Sequence, residues 1–146
     1  MTVKIAIINS SSFGRIFPEH VERLKKLGEV DRFDFPKDMR GKELARKLMG
    51  YSIIITSVTP VYDKEFFDNK DKTLLIARHG IGYNNIDVEA ATKKGTFITI
   101  VDASVERESV AENAVALLMT VIRQTALASK EVKEGKWSER AKFVGY

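Results

Sequence analysis

Between Arg78 and Asp87 the chain reads Arg-His-Gly-Ile-Gly-Tyr-Asn-Asn-Ile-Asp, and this stretch concentrates the residue types that could handle an anionic ligand. Gly80 and Gly82, at spacing two, let the backbone turn sharply and approach a ligand, and N–H groups laid bare by such a turn suit a carboxylate. The same glycines equally serve a plain strand-to-helix turn, with Asn84 or Asn85 bonding the loop and Asp87 capping the helix that follows. Arg78 could draw in an anion or pair with a surface carboxylate. His79 has no carboxylate or nucleophile beside it and only His20 as companion, so its expected role is packing or a loop hydrogen bond rather than a triad or a metal site.

Two other loops offer polar groups. Asn9 to Gly14 contains three consecutive serines and a glycine ahead of a helix, a composition that could cradle the phosphate of flavin mononucleotide but that also makes an ordinary turn. It lacks the lysine of an ATP-binding loop. Thr56-Ser57 ends a strand where a phospho-acceptor receiver domain would need a reactive aspartate, so that chemistry is excluded.

The elements that must position these loops follow from apolar periodicity. Val3 to Ile8, Val30 to Phe35, Tyr51 to Ser57, Thr73 to Ala77 and Phe97 to Val101 read as five strands. Between them lie helices opened by Pro18, spanning residues 40 to 49, centred on Phe66, and running from Asp87 to Gly95. Strands alternating with amphipathic helices predict an α/β fold, a flavodoxin-like parallel sheet of about five strands with helices on both faces and ligands at the strands' carboxyl ends. A long carboxyl-terminal helix follows, predicted to begin at Ser109 with the Ser109–Glu112 spacing of a capping box. Its Val110, Ala114, Val115, Leu117, Leu118 and Ile122 fall on nearly every side, so a second domain or subunit is expected to cover it.

Composition narrows the class. With 44% hydrophobic and 30% charged residues the chain is that of a globular protein, and no apolar run approaches membrane-spanning length. Neither a membrane partner nor a secretory signal is expected, and the absence of cysteine fits a cytoplasmic, reducing setting. The net charge of +4 arises mostly in the tail, where residues 123–146 hold six basic and three acidic side chains. A solvated surface explains that excess, and no nucleic-acid partner is predicted.

Three segments, in order, resemble the D-isomer-specific 2-hydroxyacid dehydrogenase family, which includes phosphoglycerate dehydrogenase. They are Ile55 to Val61, Arg78 to Gly95, and Ser109-Val110-Ala111-Glu112 with its apolar run. The resemblance implies that residues 1–104 form a substrate-binding-type domain and residues 105–146 the crossover helix and start of a nucleotide-binding domain absent from this chain. It implies a small 2-hydroxy or 2-oxo acid held by backbone groups at Gly80, Ile81 and Gly82, with Thr56 and Ser57 over the same cleft. Thr56 replaces an arginine frequent in phosphoglycerate dehydrogenases, offering one neutral hydroxyl where a bidentate cation would stand. Val110 is implied to lie beside the cofactor, and Glu106 and Arg107 at the bend before the helix. NAD or NADP would serve the full-length parent, a homodimer, whereas this chain holds none of the catalytic residues and no Gly-x-Gly-x-x-Gly loop. A flavodoxin-like FMN carrier and a non-catalytic assembly domain are the competing readings.

Overall fold

The β-branched run at the start of the chain forms β1 (Val3–Ile8), and Ile5, Ala6, Ile7 and Ile8 are all buried, as a strand covered on both faces requires. The computed structural model describes residues 3–143; Met1, Thr2 and residues 144–146, which belong to the two predicted domain spans, lie outside the described residues. After β1 come α1 (Glu19–Lys25), β2 (Gly28–Phe33), α2 (Gly41–Lys47), β3 (Ile53–Thr56), α3 (Lys64–Asn69), β4 (Leu75–Arg78), α4 (Val88–Lys93) and β5 (Phe97–Thr99). All neighbouring strands pair in parallel, in the order β2-β1-β3-β4-β5. The five-stranded, flavodoxin-like sheet expected from the sequence is therefore present.

Alternation along the strands divides the core between the two faces. Ala6, Ile8, Ile54 and Ile76 pack with Leu44, Ala45 and Leu48 around α2, Phe66 and Phe67 of α3, and Ala90 and Ala91 of α4. On the other face Ile5, Ile7 and Ile55 meet Phe13, Val21 and Leu24 from α1 and the turn before it. Each fully buried isoleucine contributes roughly 1.5–3 kcal/mol of apolar transfer. Three helices thus cover one face and one covers the other. Phe97, in register with Leu75 and through it with Ile53, is 76% exposed.

Two boundaries differ from the sequence reading. The second strand, expected from Val30, begins instead at Gly28, and a Cβ there would lie 2.0 Å from the Val3 carbonyl oxygen. The glycine allows two parallel strands to start in close approach.

The second difference is in the long helix. The chain forms two compact units, Met1–Asp102 and Ala103–Tyr146. The second unit begins with α5 (Ala103–Ile122), followed by α6 (Thr125–Lys133) and a 3-10 segment (Trp137–Phe143). Ser109 therefore lies inside α5, and the capping box does not form. Ala103 to Glu108 contain no glycine or proline to delay nucleation, and Glu106 places a favourable negative charge in the first turn. Glu106 and Arg107 are accordingly helical rather than at a bend. Leu117, Leu118, Val121 and Ile122 are exposed. No helix among the described residues is long and apolar enough to cross a membrane.

Candidate functional site

Parallel pairing brings the ends of β1, β3 and β4 to one edge of the sheet, and the polar loops singled out by their residue types gather there. The loop after β1 is closed upon itself. Ser10 is buried, and its hydroxyl accepts from the Phe13 amide at 3.1 Å. Arg32 of β2 donates to the Ser10 and Phe13 carbonyls at 2.9 and 2.5 Å. The amides of Arg15 and Ile16 are spent on the Ser12 carbonyl. Asn9, at φ 48°, accepts from the Phe35 amide at 2.7 Å and donates to the Phe35 carbonyl and the Thr59 hydroxyl. Arg32, Asn9 and the Ser10 hydroxyl are thus bonded within the turn, while the Ser11, Ser12 and Gly14 amides donate to no group among the described residues.

β3 ends with Thr56, which is completely buried. Its hydroxyl accepts from the Tyr62 phenol at 3.0 Å and faces the Thr59 carbonyl at 3.4 Å. Tyr62 is itself fully buried, and desolvation pushes its phenol well above the usual tyrosine range. Thr56 thus points its only polar group into a buried pair, whereas Ser57 is half-buried at the loop. The chain then turns through a cis Thr59-Pro60 peptide.

The loop after β4 is of the opposite kind. The His79 amide donates to the Thr56 carbonyl at 2.8 Å, the Val101 amide to the Gly80 carbonyl at 3.1 Å, and the Gly80 amide to the Arg78 carbonyl at 2.9 Å. Gly80 has φ +141°, and a Cβ on it would fall 1.7 Å from Nη1 of Arg78, so glycine is required on both conformational and steric grounds. Beyond it, neither the Ile81 amide nor the Gly82 amide donates to any group among the described residues. Asp87 caps α4 by accepting from the Ala90 amide at 2.9 Å, as its position in the sequence predicts.

Arg78 lies beneath this loop. Its Nη1 donates to the His79 carbonyl at 2.6 Å, its Nε is buried without a hydrogen-bond partner, and no carboxylate among the described residues pairs with it. Val58, Val61, Arg78, Gly82, Asn84 and Asn85 line a cavity of about 350 Å³, at the lower end of the usual range for small-molecule sites. No aspartate or glutamate lines it. His79 turns away from catalysis-like company and sets its ring edge-on against Phe13, with centroids 5.3 Å apart. His20 packs on the same Phe13 ring at 5.9 Å.

Asn85 joins the two walls. Its Nδ2 donates to the Pro60 carbonyl at 2.9 Å and the Ser57 carbonyl at 3.2 Å, while its own carbonyl accepts from the Tyr62 amide at 2.7 Å. The loop-bonding amide is therefore Asn85, and Asn84 is exposed. The structure brings Thr56, Ser57, Gly80, Ile81 and Gly82 to one edge of the first unit. Val110 stands in the second unit, on α5, with its side chain 64% exposed. Arg32 and Tyr62 carry no apolar period or motif that marks them in the sequence.

The comparisons with known proteins agree with this architecture. A family model described as D-isomer specific 2-hydroxyacid dehydrogenase, catalytic domain, matches residues 6–142. The glyoxylate reductase of Thermococcus litoralis is 33% identical over 139 residues, covering 90% of this chain and 42% of that protein. The D-3-phosphoglycerate dehydrogenase of Archaeoglobus fulgidus is 38% identical over 132 residues, or 89% of this chain and 24% of that one. Among solved structures, the PH0520 protein of Pyrococcus horikoshii OT3 is 32% identical with a TM-score of 0.66, covering 97% of this chain and 40% of that chain. The chain spans less than half the length of each of these relatives. A family match over residues 6–142, which hold the expected sheet and loops, makes this chain a member of the D-isomer specific 2-hydroxyacid dehydrogenase family.

Proposed function

We propose that this chain forms the substrate-binding wall of an NAD(P)-dependent oxidoreductase acting on the CH–OH group of a small 2-hydroxy acid. One observation carries the reading: the uncommitted amides of Ile81 and Gly82 stand on the loop whose Gly82 shares a cavity with an arginine that has no acidic partner. Two N–H groups and a fixed cation at the carboxyl end of a parallel sheet suit a carboxylate. Gly80 supplies the turn, Ser57 borders the cleft, and Thr56 acts by holding its strand end rather than by touching the acid.

In the full reaction a hydride passes between a nicotinamide and the carbon bearing the hydroxyl or keto oxygen. This chain's part is to bind and orient the acid through its carboxylate. Residues 1–104 are the substrate-binding domain and 105–146 the crossover helix leading to a nucleotide-binding domain, with Val110 near the cofactor. The exposed apolar side chains of α5 support a covering partner, either that domain or a second subunit of a homodimer. The chain's sequence contains no dinucleotide fingerprint, so the expectation is acid binding without turnover.

Two measurements on the 146-residue chain test this. Titration of the isotopically labelled protein with glyoxylate is expected to shift the Ile81 and Gly82 amide resonances in a saturable way. Incubation with NADH and a panel of 2-oxo acids is expected to show no oxidation of the cofactor. Unmoved amides at saturating acid would overturn the binding role, and turnover in proportion to purified chain would overturn the division of labour.

A further inference from the structure

Asn85 is the residue of the cavity lining that is hydrogen-bonded to the opposite wall. Val58 and Val61 come from the loop after β3; Arg78, Gly82 and Asn84 come from the end of β4 and the loop after it. Between them, both acceptors reached by the Asn85 side chain are main-chain carbonyls, those of Ser57 and Pro60. Only an NH2 group can satisfy two carbonyls at once, which fixes the orientation of the side-chain amide. The main chain adds a second tie, from the Tyr62 amide to the Asn85 carbonyl and from the Asp87 amide to the Tyr62 carbonyl at 2.8 Å. Tyr62 cannot drift, because its ring is buried against Phe66 and its phenol is held by Thr56.

These contacts make one side of the cavity a function of the other. The Ser57-to-Pro60 turn has no regular secondary structure of its own to hold its distance from Gly82, so a cross-link from Asn85 sets the spacing. We propose that Asn85 is a positioning residue for the acid: it holds the Ser57–Val61 wall at the distance where a carboxylate bound on the Ile81 and Gly82 amides is enclosed. The proposal rests on the binding role given above for those amides. Asn85 itself does not touch the acid through its Nδ2, since both donors are spent.

Asn85→Ala tests the proposal in the 146-residue chain, with glyoxylate as the probe and the Ile81 and Gly82 amide shifts as the readout. The two amides remain in place, so the shift at saturation is expected to match that of the unaltered chain while the apparent Kd rises about tenfold, as suits the loss of two modest hydrogen bonds. Asn69→Ala removes an exposed side-chain bond on α3, far from the cleft in sequence and element, and is expected to leave the Kd within about twofold. A folded Asn85→Ala protein that binds glyoxylate as tightly as the unaltered chain would overturn the proposal. Should that variant fail to fold, hydrogen exchange of the Asn85 side-chain NH2 in the unaltered chain decides: slower exchange at saturating glyoxylate supports the role, and unchanged exchange overturns it. If the unaltered chain binds no 2-oxo acid at all, the fault lies in the binding role of the amides, and this proposal falls with it.

Discussion

The turn after β1 and the turn after β4 leave the same edge of one parallel sheet, yet the first occupies an arginine with two of its own carbonyls and the second leaves a buried arginine nitrogen without a partner. The first is rich in hydroxyls, and Ser10, Arg32 and Asn9 are bonded within it. The second is poorer in polar side chains, and it leaves two successive amides without an internal acceptor. Arginine makes the contrast plain: Arg32 is bound to two carbonyls of the first turn, whereas Arg78 keeps a buried Nε without a partner at the second.

The largest test of this contrast is Gly80→Ala. The added Cβ meets the Arg78 guanidinium, and φ +141° is unfavourable for alanine, so the second turn must change shape. Loss of detectable glyoxylate binding is expected, together with about 1–3 kcal/mol of destabilisation measured by urea unfolding. Unchanged binding would show that the glycine loop does not hold the acid. Arg32→Ala should do the reverse. It strips the first turn of its two charged donors and is expected to lower stability by about 2 kcal/mol, with glyoxylate affinity kept within about twofold. A matching loss of affinity would mean that the two turns are not independent.

The smallest effect is expected for Tyr62→Phe, which removes the phenol donating to Thr56. At neutral pH about 1 kcal/mol should be lost. The sign of the pH dependence follows from burial, which raises the folded phenol's pKa above the unfolded value of about 10. Above that pH the unfolded phenol ionises while the folded one stays neutral, so the unaltered chain loses stability as pH rises, and Tyr62→Phe lacks this contribution. The stability gap between the two proteins should therefore shrink in alkaline urea titrations. A gap constant to pH 11 or so would contradict a phenol shielded from ionisation.

Much of this architecture was legible in the residue order because it rests on local signals. The isoleucine-rich strands, the Asp87 cap and the glycines of the second turn each follow from neighbours within a few positions. The family segments also lay in order along the chain. The start of α5 was misplaced because a serine with a glutamate three residues on has capping spacing wherever it occurs, while the helix-favouring run from Ala103 already provides a start. The fate of the serine-rich turn was open in the sequence for a different reason. Its closure depends on Arg32, about twenty residues away and aligned only by the β1–β2 register. Thr56 and Tyr62, six residues apart, likewise meet only because the intervening turn folds back. Side-chain bonds of this kind obey no period, and so the way each loop is tied down appears only in three dimensions.

The strand order carries a consequence for how such a sheet is made. β2 and β3 each flank β1, and thereafter β4 joins β3 and β5 joins β4, so from the fourth strand on every newcomer is laid against the strand just before it in the chain. As the polypeptide leaves the ribosome, the sheet can be extended outward without reopening pairs already made. The cleft is completed late in that sequence: its first loop emerges after β3 but gains its cross-links only when Asn85 and Asp87 have been synthesised, which makes the binding edge one of the last features of this unit to be fixed during translation.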